Sequence, residues 1–459
     1  MTDVTPPTPP STALPLYLGP ALPRWQPRTI AGVHDAIDDG TLAERHWLDA
    51  KSMIKSTDGA SKETARDLVS FANDGGALLV GVAEDKQTRA LSVVGTDLAG
   101  LSEQIDQIAR YRCDPPLYVI CHPLADPADP TRGVMLVEIP PSLSAPHAVD
   151  GTYGRGDTTR HHLTDADVAR LHAARTTRRV TGEQLIAAEV ARDSVAAEHR
   201  RNSHLFVVAR PLASPPDLLT DLIDSDALPA LVRAVEPRVR SAATCAPHWA
   251  NLTAQERRAD GVGFYTYGLS GREFHAELDD AHENASLDLE ITDEGRLTLF
   301  GGRASDEHRE RGGQYLLDAG VTVMTRGVIT LAGDLGATAG YAGRWLLAVG
   351  ISDMRGNHSW QASWTFRLDG SLAAYSADTY TQSTEAVTSE LLNQPGAVTR
   401  RLVRRLHRAL GTSHLHAPLV ADGPGSPVPV TYMPVRSGLA AGRPDDVTLA
   451  RATFTPTAL

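Results

Sequence analysis

SKETARDLVSFANDGGALLVGVAE, residues 61–84, decides how the first half of the chain folds. Ser61, with Thr64 three residues on, marks a helix start, and Ala65, Leu68, Val69 and Ala72 follow at helical spacing. Asn73-Asp74-Gly75-Gly76 stops that helix and turns the chain. Ala77 to Val82 is then almost wholly apolar, which predicts a central, buried strand.

Upstream, Thr29 to Ile37 reads as a helix that stops at Asp39-Gly40, and Trp47 to Lys51 as a strand. The two-residue strand period puts Leu48 and Ala50 on one face, Asp49 and Lys51 on the other. Downstream, Leu98, Leu101, Ile105 and Ile108 mark a helix ended by Asp114-Pro115-Pro116. Leu117 to His122 and Val134 to Ile139 read as strands around an exposed Pro/Asp loop, and a strand-and-helix pair runs from Tyr153 to about Arg175. After an Arg-rich stretch a second unit begins, with a helix over Gly182 to His199 and a buried strand at Leu205 to Ala209. Leu287, Leu289 and Ile291 alternate with acids, and Asp293-Glu294-Gly295 turns them into Leu297 and Leu299, a hairpin. Leu317, Val321, Met324, Val328 and Leu331 predict a core helix, Trp345 to Ile351 a strand, and Trp364, Phe366 and Leu368 another strand.

The pattern is α+β: a mixed α/β domain, then a second α+β domain whose sheet is mostly antiparallel. The expected divisions are a disordered Pro/Thr-rich leader at 1–27, the first domain at 28–178, the second at 179–417 and a Pro/Gly-rich tail at 418–459. No apolar run reaches about eighteen residues, so no membrane partner is expected. Cys113, Cys121 and Cys245 form no C-x-x-C pair, which fits a reducing cytoplasm and argues against a disulfide framework or cysteine-rich zinc site. The net charge of −12 means that any nucleic-acid contact needs a local basic surface.

Five pieces carry the chemistry, in order: Glu44-x-x-x-Leu48-Asp49-Ala50-Lys51, Phe71-Ala72-Asn73-Asp74-Gly75-Gly76, Gly81-Val82-Ala83-Glu84, Pro146-His147, and Tyr153-Gly154-Arg155-Gly156-Asp157. Taken together, over about a third of the chain, they resemble the AlbA_2 domain of Schlafen-like proteins. That family usually has a Glu before a Leu-Glu-Phe-Lys strand, then Phe-Ala-Asn-x-x-Gly-Gly, a Gly-Val-x-Asp strand end and an aromatic-x-Arg-x-Gly segment.

The resemblance implies a nucleic-acid-binding protein acting on RNA or DNA. In eukaryotic Schlafens that are tRNA and rRNA endoribonucleases, three carboxylates of these motifs form the catalytic site. Carried over, they fall on Glu44, Asp49 and Glu84. Clustered carboxylates repel one another unless a cation sits among them, so Mg²⁺ or Mn²⁺ is the expected guest. Lys51 is the expected supporting cation and Arg155 a candidate phosphate clamp. Asp49 and Glu84 exchange the family's usual Glu and Asp, and Ala50 replaces its Phe. Many prokaryotic relatives use the domain for binding or regulation, so a non-catalytic DNA/RNA-binding regulator with a sensor or interaction domain is the alternative. A homo-oligomer is left open.

Plainer readings stand beside these. Glu84-Asp85 suits a solvated turn, Asp49 and Lys51 an exposed cross-strand ion pair, and Gly75-Gly76 a tight turn rather than a phosphate cradle. His161-His162 with Asp165 could suggest a metal, although Thr164 or Asp165 as a helix cap accounts for the spacing. Basic surface is expected at Arg160, Arg170, Arg175, Arg178 and Arg179, and on a helix bearing Arg400, Arg401, Arg404, Arg405 and Arg408. Arg160, Arg400 and Arg404 are taken as nucleic-acid contacts.

Overall fold

The computed structural model describes residues 15–19, 22, 24–26, 29–85, 87–156, 159–177, 181–196, 199–214, 217–239, 249–266, 280–308, 311–365 and 372–423. The chain divides into two compact units: Met1–Arg179 with Leu212–Pro215 and Gly336–Gly343, and the remainder. Both mix helices with sheets that pair mostly antiparallel, which matches the expected α+β class and, for the second unit, the expected antiparallel sheet.

The first unit runs α1 (Ile30–Asp38), β1 (Leu48–Lys51), α2 (Asp58–Phe71), β2 (Gly76–Val80), β3 (Val82–Glu84), β4 (Leu91–Val93), β5 (Thr96–Asp97), α3 (Leu101–Tyr111), β6 (Ile120–Asp126), β7 (Asp129–Ile139), β8 (Tyr153–Arg155), β9 (Arg160–His162) and α4 (Asp165–Thr177). Its main sheet has the order β1-β2-β7-β5, with β6 also on β7, and β1 and β2 are parallel. β2 is buried on both faces. Leu78 and Val80 pack with Leu68, Phe71 and Ile105 of α2 and α3, while Ala77 and Leu79 pack with Val33 of α1.

Four local expectations need correction. α2 begins at Asp58 rather than Ser61, because Thr57 is the cap and accepts the Ala60 N–H at 3.3 Å. The apolar run Ala77–Val82 is two strands, broken at Gly81, whose φ is +101°. A Cβ there would lie 2.7 Å from the Gly133 carbonyl, so only glycine fits the break. The Pro/Asp loop is indeed exposed, but β6 and β7 extend through most of it and turn at 127–128. Within the expected disordered leader, Leu16 bridges to Trp25, and Leu16, Leu18 and Trp25 are buried in the α1-side core.

The second unit runs α5 (Gly182–Ala191), β10 (Leu205–Pro211), α6 (Thr220–Ile223), α7 (Ala227–Val239), β11 (Ala254–Arg258), β12 (Gly261–Tyr265), α8 (Asp280–Ala285), β13 (Leu287–Thr292), β14 (Leu297–Gly301), β15 (Ser305–Glu307), β16 (Gln314–Leu316), α9 (Asp318–Ala339), β17 (Arg344–Ile351), β18 (His358–Ser359), α10 (Trp360–Thr365), β19 (Tyr380–Val387), α11 (Thr388–Asn393) and α12 (Pro395–Ala409). Seven strands form an antiparallel sheet, β11-β12-β13-β14-β10-β17-β19, with the expected hairpin as β13–β14. α5 ends eight residues before His199, and Asp193 just beyond it pairs with the buried His204 at 2.8 Å. Trp364 lies in α10 rather than in a strand, while Phe366 and Leu368 lie outside the described residues. The start of the expected tail is packed: Leu419 and Val420 are buried, and the Asp422 carboxylate accepts the Gly396 and Ala397 N–H groups at the start of α12, each at 2.7 Å. The rest of that tail, from 424, lies outside the described residues.

Candidate functional site

Among the described residues β1 is an edge strand of its sheet, with its ladder formed to β2. Leu48 and Ala50 join the α1-side core, so Asp49 and Lys51 face the other way, towards α2 and β8. Glu44 sits on the bend before the strand, which removes the parity problem of an odd separation from Asp49. The Ala50 N–H donates to Glu44 Oε1 at 3.2 Å. Folded back in this way, the Glu44 carboxyl lies within the field of the Asp49 carboxylate. Burial pushes the Glu44 carboxyl up to about 7; the negative charges of Asp49 and Glu84 add to the rise, and the hydrogen bond from Ala50 opposes it.

The two neighbouring carboxylates each face an arginine. Asp49 Oδ1 lies 3.3 Å from Arg155 Nη2, and Glu84, at the end of β3, lies 3.0 Å from Arg89 Nε. Asp85 makes the turn after it, accepting the Gln87 and Thr88 N–H groups at 2.9 and 2.8 Å. Glu84 itself is only 16 % exposed and contributes to the field at Glu44, so it is more than a solvated turn residue. Oxygen donors suit Mg²⁺ or Mn²⁺. Their placement does not, since among the described residues no group of three or more His, Cys, Asp or Glu side chains could hold a metal ion. Asp49 and Glu84 instead take their positive partners from Arg155 and Arg89.

Arg155 is not an open phosphate clamp. Its side chain is 3 % exposed, stacked 4.5 Å above the Phe71 ring, and it donates to the carbonyls of Leu48 at 3.0 Å and Arg45 at 3.3 Å. It therefore ties β8 to β1 and to the turn before it. Lys51 pairs not with Asp49 but with Asp67 on α2, at 2.7 Å. Asp67 also pairs with Arg160, whose second nitrogen reaches Glu63, so Arg160 is committed to α2 as well. Burial raises the Asp67 pKa, opposed by Lys51 and Arg160. Sequence reasoning missed Asp67. The available signal was its position in the buried stripe between Thr64 and Phe71, where a carboxylate demands cationic partners.

The family model described as Schlafen, AlbA_2 matches residues 44–164, from Glu44 to the cap of α4. Residues 44–164 are a Schlafen AlbA_2 domain. No curated protein and no solved structure matches the chain. Several motif residues of the AlbA_2 domain serve its architecture. Gly76, at φ +155°, lies where a Cβ would meet the Phe71 ring at 2.2 Å, so the Gly-Gly pair is a tight turn. His147 is buried, its Nδ1 donating to the Pro115 carbonyl at 2.6 Å and its Nε2 2.7 Å from Ser142 Oγ. Thr164 Oγ1 accepts the Asp167 N–H at 3.2 Å, the capping alternative to a metal at His161-His162. Arg170 pairs with Asp167 at 3.2 Å, and Arg178 and Arg179 lie outside the described residues. Arg400 and Arg404 lie beyond the domain, on α12. Arg400 donates to the Val420 carbonyl at 2.8 Å, while Arg404 is exposed. Among the described residues no helix is long and apolar enough to cross a membrane.

Proposed function

We propose that the AlbA_2 domain engages nucleic acid and cleaves structured RNA such as tRNA, with Glu44 as the proton-transfer group and Asp49 as its partner. The family match points to a nucleic-acid-related role, and the Glu44–Asp49 carboxyl pair supports the finer reading. RNA carries its own nucleophile in the 2′-hydroxyl. Scission needs a base to take that proton as the 2′-oxygen attacks phosphorus, and an acid to protonate the departing 5′-oxygen, leaving a cyclic phosphate. A carboxyl that titrates near 7 exchanges protons at neutral pH in either role. Lys51, about a quarter exposed on the same strand face as Asp49, supplies positive charge for the phosphate. No step runs through Mg²⁺ or Mn²⁺.

The test uses the full chain with a tRNA transcript, once in a chelator and once with Mn²⁺. Cleavage in the chelator that Asp49→Asn abolishes supports the proposal. Cleavage that appears only with Mn²⁺ overturns the proton-transfer role and returns the carboxylates to a metal. Binding without cleavage in either condition leaves the second reading, a non-catalytic nucleic-acid-binding regulator, which the buried Asp49–Arg155 contact favours.

A further inference from the structure

α12 buries one side and charges the other. Val398, Leu402, Val403 and Leu406 are buried in the second unit, while Arg400, Arg404, Arg405 and Arg408 are exposed. Two of the five arginines of the helix are engaged within the chain, Arg400 by the Val420 carbonyl and Arg401 by Glu390 at 2.6 Å. Arg404, Arg405 and Arg408 have no ion-pair partner among the described residues. By contrast, the exposed Arg192, Arg238, Arg257 and Arg355 of this unit pair with Glu290, Asp334, Asp224 and Asp378. The sequence explains why: residues 391–421 contain five Arg and no Asp or Glu, in a chain of net charge −12.

Arg400, Arg404 and Arg408 succeed one another at four-residue steps, a rise of about 6 Å each, with Arg405 alongside. They form a straight basic ridge on a rigid helix, a shape that suits an extended polyanion better than a compact one. We infer that this ridge docks the phosphate backbone of a nucleic-acid strand. The inference rests on the chain engaging nucleic acid, but not on its cleaving it. An anionic membrane is disfavoured by the burial pattern: a surface-bound helix must offer its apolar face to the acyl chains, and here that face is packed inside the unit. α12 carries no Phe, Tyr or Trp and its one imidazole, His407, is buried, so no ring on it is open to stack on bases, and binding is sequence-tolerant and steeply salt-dependent.

The experiment compares the full chain with its Arg404→Gln/Arg405→Gln/Arg408→Gln variant, by fluorescence anisotropy with a labelled single-stranded RNA across a salt series. Loss of three phosphate contacts at ~0.7 per contact makes the slope of log affinity against log salt shallower by about 2, and low-salt affinity falls at least ~10-fold. An unchanged melting temperature shows that the exposed substitutions leave the fold intact. Equal affinity and slope in the variant overturn the inference. So does arginine-dependent binding of phosphatidylserine vesicles or polyglutamate as tight as that of RNA. A Glu44→Gln protein that cleaves like the wild type sinks the catalytic reading alone, whereas a wild-type chain that binds no RNA at low salt sinks both.

Discussion

Glu44→Gln is expected to slow RNA cleavage by about 10²- to 10⁴-fold, the usual share of a positioned acid or base, while leaving RNA affinity intact. Glutamine keeps the shape and still offers an oxygen to the Ala50 N–H, so the bend before β1 survives. What it loses is the proton. The wild-type pH–rate profile should therefore break near 7, and the break should vanish in the variant. Stability gives an independent readout of the same group. The folded carboxyl titrates at about 7, above its ordinary value near 4.5. A raised carboxyl pKa favours folding below the unfolded value and is a growing liability as pH climbs to the folded one. The wild type should thus lose stability between about pH 4.5 and 7, and the glutamine variant should lose less, as urea midpoints at the two ends of that window would record. A pH–rate break that persists in the variant belongs to another group and rules out Glu44 as the proton carrier.

The second large effect belongs to Arg155. Arg155→Leu is expected to destabilise the AlbA_2 domain by about 3–5 kcal/mol, the cost of stranding one partner of a buried ion pair. Asp49 would lose its cation, and the carbonyls of Arg45 and Leu48 their donors. For a domain of this size, about 2–4 °C per kcal/mol translates into a melting temperature lower by about 6–20 °C by calorimetry. Adding Asp49→Leu should recover part of the loss, because removing both charges leaves neither unpaired. Were Arg155 an open phosphate clamp instead, the melting temperature would hardly move and RNA affinity would fall; that result would refute the buried tie.

The features legible in the sequence are those set by near neighbours. The spacing of Ala65, Leu68 and Val69 and the Gly75-Gly76 stop place α2 and β2, and the order of the motifs places the AlbA_2 domain. The start of α2 was misplaced because Thr57 and Ser61 are both good capping residues, and only the fold chooses between them. Arg155 and Asp67 show the harder limit. Flanking glycines suit both an exposed clamp and a tightly packed tie, and the ring of Phe71, remote in sequence, makes it the second. Asp67 becomes intelligible only once Lys51 and Arg160, from two other elements, converge on it. Glu44 feels the negative charge of both Asp49 and Glu84. That Arg89 contacts Glu84 and Arg155 contacts Asp49 is set by the fold, and motif spacing says nothing about it.

The packing of Leu16, Leu18 and Trp25 has a practical side. These side chains lie against Val33, Leu79 and Leu136, so the α1-side core is closed by residues that a motif-based boundary at residue 28 would discard. A fragment cut there keeps every motif of the AlbA_2 domain but leaves that part of its apolar surface open to water. Such a piece should associate with itself and precipitate, and its silence in an RNA assay would reflect poor solubility rather than a missing activity.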